Sequence, residues 1–156
     1  DDVRLDPGDW FAQGRGTMVF DLHTAKDWAG IWRIVQLYSS SLNDDHLDLA
    51  YDSAADQLRI SLRADGVPVV TQSLYGQLAK DTRHRIALAW DDDVISVGLD
   101  SVVLSSPDGF AMPRNFTNIV LGSFGGTDKA LNGHVRNLAY WPEKLSNARL
   151  SELSVV

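Results

Sequence analysis

Short segments in which apolar and polar residues alternate run through most of this chain. In residues 17–23, Met18, Phe20 and Leu22 alternate with mostly polar residues. Residues 57–63 (QLRISLR) show the same period of two without exception. This period is typical of strands with one face on a core and the other face turned outward. Both segments are therefore predicted to be half-buried antiparallel strands.

Further segments combine β-branched or aromatic residues with turn signals on either side, which predicts strands. They are residues 1–5, 31–39, 46–51, 67–74, 84–90, 94–99, 101–104, 119–123 and 133–135. Asp65 and Gly66 predict a tight hairpin turn, and Pro68 favours the edge of a sheet. Helical signals are nearly absent before residues 146–153, where a short helical segment is expected.

Many short strands with turns at intervals of roughly 8–12 residues are typical of a β-sandwich or barrel. We therefore predict an all-β fold, a two-sheet antiparallel jelly-roll sandwich made by a single domain over residues 1–156. The predicted core consists of Met18, Phe20, Leu22, Val35, Leu37, Leu47, Leu49, Leu58, Ile60, Leu62, Ile86, Leu88, Trp90, Ile119, Leu121 and Val135. Asp48 is expected to point away from this core.

The charge balance limits the classes of partner. The chain has 14 Lys and Arg against 21 Asp and Glu, so its net charge is −7. Nucleic acids and anionic membrane surfaces are usually bound by clustered Lys and Arg, so neither is expected as a partner. No apolar run approaches the about 20 residues that span a bilayer. The chain has no cysteine, which excludes disulfides and thiolate metal sites.

The beginning of the chain carries neither an initiator Met nor the pattern of a signal peptide. We therefore expect a processed protein or a domain cut from a longer one. Its expected partners include other domains or subunits of a larger assembly.

The second half of the chain resembles the end of a concanavalin A-like, laminin-G-like domain. Its motifs are HRIALAW at 84–90, an acidic turn at 91–93, a strand at 95–100, Gly133-x-Val135, the aromatic pair 140–141, and Leu-Ser at 145–146 before a closing helical segment. The resemblance implies the jelly-roll fold. Ser101 stands where the family pattern has Gly, which implies a different turn at that point.

The opening sequence is similar to laminin-G-like domains of bacteriophage tail and fibre proteins. It has DDVRLDPGDWF ahead of a strand that begins GTMVF. Such domains contact surface glycans or serve as structural decoration. The resemblance therefore implies a location on a virion or another extracellular surface.

The same superfamily includes β-glucanases, which place catalytic carboxylates on one strand as E-x-D-x-E. Alternate residues share a face, as a pair of catalytic carboxylates requires. Here the matching positions are His46, Asp48 and Ala50, so both outer carboxylates are missing. The sequence also lacks the G-x-S-x-G and H-E-x-x-H motifs. We predict that the chain is not an enzyme, with a divergent glycan hydrolase or lyase as an alternative.

Calcium is a candidate cofactor, because many domains of this superfamily bind it and Ca²⁺ prefers carboxylate and carbonyl oxygens. Acidic residues cluster at positions 1, 2, 6 and 9, at 44, 45 and 48, and at 91–93. None of these clusters has EF-hand spacing. Asp is also frequent in turns, where it accepts hydrogen bonds from its own backbone, and the pattern leaves both interpretations open.

Glycan sites usually combine aromatic side chains that stack on sugar rings with a few polar groups. The predicted ligand-binding residues are Trp28, Trp32, Gln36, Tyr38, His46, Asp48, Arg59 and Arg63. Trp32, Gln36 and Tyr38 are expected to share one strand face, beside outward-facing residues of the next two strands. Trp28 is expected to be exposed in a turn-rich segment.

We therefore predict a non-catalytic carbohydrate-binding module that recognises a glycan or polysaccharide, with a phage tail or fibre protein as its expected context. The rim loops at 9–16 and 24–30 are alternative binding elements. The alternative function is a structural, protein-interaction or oligomerisation domain without sugar binding. An exposed apolar patch on residues 67–74 or 155–156 would support that alternative.

Overall fold

The computed structural model describes residues 3–24, 30–40, 44–123, 131 and 133–156, with the backbone alone for residues 72–75. The strands in this part of the chain are β1 (Val3–Leu5), β2 (Gly16–Thr24), β3 (Ile31–Tyr38), β4 (His46–Asp52), β5 (Gln57–Ala64), β6 (Val67–Tyr75), β7 (Arg83–Trp90), β8 (Ile95–Leu99), β9 (Val102–Ser105), β10 (Asn118–Leu121) and β11 (Gly133–Trp141). Helix α1 (Asn147–Leu153) follows the last strand. Among the described residues, no helix is long and apolar enough to cross a membrane.

The strands form two antiparallel sheets. One has six strands in the order β1-β10-β3-β4-β5-β6, and the other has five in the order β11-β2-β7-β8-β9. This arrangement confirms the predicted all-β, two-sheet sandwich with a short helix near the C-terminus. Strand β6 lies at a sheet edge, where Pro68 is tolerated because an edge strand does not need every backbone N–H for pairing.

The core between the sheets is built from the inward-facing residues of the alternating strands. Every residue of the predicted core belongs to it, and Val135 alone among them is only partly buried. Phe20 and Trp90 have no exposed surface. Burying a large apolar side chain contributes about 1.5–3 kcal/mol, so this shared core is the main source of stability.

A β-bulge in β3 changes the direction of its first residues. Arg33 lies opposite Ala50 and Val35 lies opposite Leu49, so Ile34 is an extra residue between them. Ile34 and Val35 both point into the core. An extra residue reverses the alternation of side chains on one side of the bulge.

The expectation that Trp32 shares a face with Gln36 and Tyr38 is therefore wrong. Trp32 lies opposite Tyr51 and packs, partly buried, against the core. Arg33 takes the outward direction instead, because the bulge shifts the register by one residue.

Two hairpin turns place two consecutive residues in the left-handed region of the backbone. Asp65 and Gly66, between β5 and β6, have φ angles of 51° and 74°. Asp100 and Ser101, between β8 and β9, have φ angles of 48° and 70°. Positive φ at both central residues is the pattern of a type I′ turn. The prediction that Ser101 changes the type of turn is therefore wrong, because Ser101 adopts the positive φ that glycine favours.

Helix α1 packs on the outer side of the five-stranded sheet. Ser146 caps its N-terminus, where the Ser146 Oγ accepts a hydrogen bond from the N–H of Arg149. Leu150 is fully buried against the small side chains of Ala87 and Ala89. The helix makes its contacts with β7, β8 and β9, so it lies away from the β11 edge of the sheet.

Candidate functional site

The outer face of the six-stranded sheet carries polar side chains in cross-strand rows over β3, β4 and β5. The rows are Gln36–Asp48–Ser61, Tyr38–His46–Arg63 and Arg33–Ala50–Arg59. The eight polar members of these rows are called the polar face below. Their alignment follows from the period of two in β4 and β5 and from the bulge in β3.

Asp48 lies at the centre of the polar face. It is 1% exposed, and its Oδ2 lies 3.3 Å from Nε of Arg33. Its cross-strand neighbours are Gln36 and Ser61. Asp48 therefore points away from the apolar core, as predicted, but it is also removed from water. Opposite charges attract more strongly in such surroundings than at a solvated surface, so Asp48 fixes the position of the Arg33 guanidinium.

Three further members of the polar face are buried as well. Gln36, Tyr38 and His46 are 0%, 7% and 8% exposed. Nε2 of His46 lies 3.4 Å from Oγ of Ser61, the more exposed residue opposite Asp48. These buried side chains fix the shape of the face, and its remaining residues, Arg33, Arg59, Ser61 and Arg63, are partly exposed.

Arg59 and Arg63 are the two cations that β5 contributes to the polar face. The Arg59 side chain is 29% exposed, with Nη1 3.9 Å from Oδ2 of Asp52. Nη1 of Arg63 donates a hydrogen bond of 2.9 Å to the carbonyl oxygen of Gly66 in the adjacent hairpin turn. These contacts orient the guanidinium planes. A planar guanidinium can bind a carboxylate through two parallel hydrogen bonds, so the face is suited to an acidic ligand.

The structure brings together six of the eight predicted site residues. They are Gln36, Tyr38, His46, Asp48, Arg59 and Arg63. Trp32 is not among them, because it lies on the core side of β3, and Trp28 lies outside the described residues. Arg33 belongs to the face although it is not a predicted site residue. The available signal was a charged side chain within the apolar run IWRIV.

The described acidic turns use their carboxylates for hydrogen bonds and ion pairs. Oδ1 of Asp91 accepts hydrogen bonds from the backbone N–H of Asp93 and Val94 at 3.1 and 2.9 Å. Asp92 forms an ion pair with Arg114. This is the bonding expected of Asp in turns. Within the described residues, no group of three or more His, Cys, Asp or Glu side chains could hold a metal ion.

Trp10 is an exposed aromatic residue on the rim loop between β1 and β2. It is 47% exposed, and its ring contacts the rings of Phe11 and Tyr140 edge-on, with centroids 5.7 and 5.3 Å apart. Trp10 belongs to the predicted alternative binding loop at 9–16. Trp10 is therefore an exposed aromatic side chain that is positioned by Phe11 and Tyr140, and it lies away from the polar face.

The arrangement of strands is similar to that of several solved structures. One is the CBM40 module of the IT-sialidase of Ruminococcus gnavus bound to α2,3-sialyllactose, with a TM-score of 0.75 and 18% identity over 92% of this chain and 84% of that one. Another is a heptameric SAP-like pentraxin from Limulus polyphemus, with a TM-score of 0.70 and 14% identity over 96% of this chain and 73% of that one.

A sialidase from Trypanosoma rangeli in complex with 2,3-difluorosialic acid is similar over 92% of this chain but only 23% of its own, with a TM-score of 0.70 and 18% identity. The likeness thus concerns one part of that enzyme. No protein-family model matches the sequence, and no curated protein matches it. At these identities the comparisons show the fold, a jelly-roll sandwich of the concanavalin A-like class.

Proposed function

We propose that this chain is a non-catalytic carbohydrate-binding module that binds a glycan on the polar face. The observation that carries the proposal is the presence of Arg33 on β3 and of Arg59 and Arg63 on β5, on either side of β4 and on one sheet face. Buried polar neighbours support these arginines, so their positions are set before a ligand arrives. Preorganisation of this kind lowers the entropy cost of binding. The similarity in fold to a CBM40 module with bound sialyllactose supports the same function.

The glycan that suits the polar face best carries a carboxylate. The CBM40 structures of R. gnavus contain α2,3- and α2,6-sialyllactose, and the sialic acid unit of these sugars has a carboxylate. Charge-assisted hydrogen bonds from Arg to a carboxylate are about twice as strong as neutral ones. We therefore propose sialylated or similarly acidic glycans as the ligand class.

The acidic residues on the outer face of β3–β5 support binding without hydrolysis. They are Asp48, which is buried beside Arg33, and Asp52, which lies near Arg59. They are four positions apart on one strand, or about 13 Å at 3.3 Å per residue. Catalytic carboxylates of glycosidases are about 5–9.5 Å apart, so these two do not form such a pair.

Calorimetric titration with 3′-sialyllactose, 6′-sialyllactose and lactose tests the proposal. We expect both sialylated sugars to bind and lactose to bind at least about tenfold more weakly, because it lacks the carboxylate. Arg59→Gln and Arg63→Gln should each weaken binding of the sialylated sugars by about tenfold. Arg149→Gln, which removes an exposed arginine from α1, is the matched control and should bind as the wild type does. Equal affinities for lactose and sialyllactose, or no effect of either polar-face variant, would contradict the proposed site.

Calcium is a further proposal, supported by the acidic composition of the rim turns. The same titrations with added calcium and with a chelator test it. Weaker binding with the chelator would assign a metal to the binding reaction. Equal affinities in both conditions would remove calcium from the proposal.

A structural or protein-interaction role is the second candidate function. Val67 and Val69 on the edge strand β6 are 60% and 43% exposed, and Val155 and Val156 are 50% and 60% exposed. An edge strand with apolar side chains can pair with another chain. We propose that such contacts join the domain to a larger surface or virion assembly. Sedimentation over a range of concentrations tests self-association, and a strict monomer that also binds sugar would favour the glycan role.

A further inference from the structure

A cluster of cationic side chains lies on the outer face of the other sheet. Two cross-strand rows over β11, β2 and β7 bring them together, one formed by His134, His23 and Arg83 and the other by Arg136, Asp21 and Arg85. These six residues are called the cationic array below. The array lies on the opposite sheet from the polar face, and it extends to β7, where Nη1 of Arg85 donates a hydrogen bond to the carbonyl oxygen of Val155, just after α1.

Asp21 fixes the centre of the array. It is 2% exposed, and its Oδ1 accepts a hydrogen bond of 2.7 Å from Nε of Arg85. Its Oδ2 accepts hydrogen bonds from Arg83 and from Nδ2 of Asn137. Asn137 has a φ of 54° and lies in a β-bulge after Arg136, a feature that redirects side chains. Asp21 thus holds two guanidinium groups in fixed orientations at the surface.

The charges of the array do not cancel. Three guanidinium groups accompany one carboxylate, which leaves two positive charges before any contribution from the two imidazoles. Arg136 has no ion pair within the described residues. The side chains of Arg83 and Arg85 remain 48% and 32% exposed although both bind Asp21. In a chain with a net charge of −7, this is a local reversal of sign.

The array borders a cavity that could receive a ligand. The cavity has a volume of about 420 Å³ and is lined by Asp21, His23, Arg83, His134, Arg136 and Asn137. Pockets of about 300–1,000 Å³ accommodate small ligands, and one or two sugar units with acidic groups fit this range. Binding of a nucleic acid requires a more extended cationic surface. The net charge of −7 also disfavours a nucleic acid as the ligand.

We propose that the cationic array is a second binding site, for the oxyanion groups of an acidic polysaccharide. Sulfate or carboxylate groups on neighbouring sugars would accept hydrogen bonds from Arg136 and from the outward N–H groups of Arg83, beside His23 and His134. Among the described residues, Arg83, Arg85 and Asn137 donate the hydrogen bonds to Asp21, so neutralisation of Asp21 does not explain the presence of Arg136. The site does not depend on the proposed function of the polar face.

The test uses a heparin-derived hexasaccharide as the probe, titrated into the whole chain at constant ionic strength. We expect it to bind, and we expect Arg136→Gln to weaken binding by about tenfold, because one charge-assisted contact is lost. This variant leaves Asp21 and its three partners in place, so the fold should be retained. Arg149→Gln makes the same change of charge on α1 and should bind as the wild type does.

Two outcomes would contradict binding of the hexasaccharide at the cationic array. One is the absence of hexasaccharide binding, and the other is an equal loss in Arg136→Gln and Arg149→Gln, which would indicate attraction by net charge alone. A competition titration with inorganic sulfate at matched ionic strength tests whether the site binds a free oxyanion or the oxyanion groups of a polysaccharide. Displacement by sulfate at the hexasaccharide's own concentration would assign the site to a free oxyanion and overturn the polysaccharide assignment. The affinity for the hexasaccharide should fall more in Arg136→Gln than in Arg59→Gln, and the reverse order would assign the probe to the polar face and overturn the proposal.

Discussion

Arg33 and Asp48 form an ion pair of 3.3 Å across β3 and β4 because a bulge turns Arg33 away from the core. The Arg33 side chain is 15% exposed and that of Asp48 is 1% exposed. Without the bulge, regular alternation from the inward-facing Val35 through Ile34 would direct Arg33 into the apolar interior, where an unpaired charge is costly. The bulge and the ion pair are thus consistent with each other, and together they shape the polar face.

Replacing Asp48 by Asn should destabilise the fold with little change in side-chain volume. Removing one partner of a buried ion pair costs about 3–5 kcal/mol, and the partial exposure of Arg33 reduces this to about 2–3 kcal/mol. Urea denaturation measures the change in the free energy of unfolding. A double-mutant cycle with Arg33→Met should give a coupling energy above about 1 kcal/mol. A coupling energy near zero would show that the pair does not stabilise the fold.

Trp32 should matter for stability and not for glycan binding. Its ring packs against the core opposite Tyr51, so Trp32→Ala should cost about 2–4 kcal/mol of unfolding free energy. Trp32→Phe keeps an aromatic ring in the core and should bind sialyllactose as the wild type does. Chemical denaturation and calorimetric titration measure the two quantities separately. Loss of sialyllactose binding in a stably folded Trp32→Phe variant would show that Trp32 belongs to the binding site.

The sequence predicts most of the fold because alternation is a local property. Leu58, Ile60 and Leu62 must share a face whatever the rest of the chain does, since successive side chains of a strand point to opposite sides. The same reasoning places His46 and Asp48 together on the outer side of β4. Cross-strand alignment then follows from the hairpin between β4 and β5.

The bulge could not be read from the sequence. Ile34 and Val35 are both β-branched and suit either face of a strand, so the pattern does not reveal which residue is the extra one. The burial of Asp48 depends on neighbouring strands and was likewise not predictable. The cationic array includes His23 and His134, which are far apart in sequence and meet through the pairing of β2 with β11.

Ser101→Gly should stabilise the protein. Ser101 has a φ of 70° in the turn between β8 and β9, and a non-glycine residue in the left-handed region costs about 1–2 kcal/mol. Glycine removes this strain but loses more entropy on folding, by about 0.5–1 kcal/mol, so we expect a gain of about 0.5–1 kcal/mol. Thermal unfolding measures it. The reciprocal change Gly66→Ser, at a φ of 74°, should destabilise the protein by a similar amount, and a stabilised Gly66→Ser would contradict the explanation.

Asp21 should make the stability of the protein depend on acid pH. Burial acts to raise the pKa of Asp21, but hydrogen bonds from Arg85, Asn137 and Arg83 outweigh it and lower the pKa from 3.8 to about 2. Because the folded pKa lies below the unfolded one, the stabilisation is complete above about pH 4 and is lost as the pH falls through about 2. At 1.36 kcal/mol per pKa unit, the contribution is of the order of 2 kcal/mol.

The difference in unfolding free energy between wild type and Asp21→Asn isolates this contribution, since the other carboxyl groups titrate in both proteins. We expect the wild type to be more stable by about 2 kcal/mol at pH 6. The difference should shrink steadily between about pH 4 and pH 2, because a protonated aspartic acid and the asparagine that replaces it are both neutral. Urea denaturation at several pH values measures it. A difference that stays constant over this range would mean that Asp21 stabilises the fold through its shape and not through its charge, and the anchoring of Arg83 and Arg85 would need another explanation.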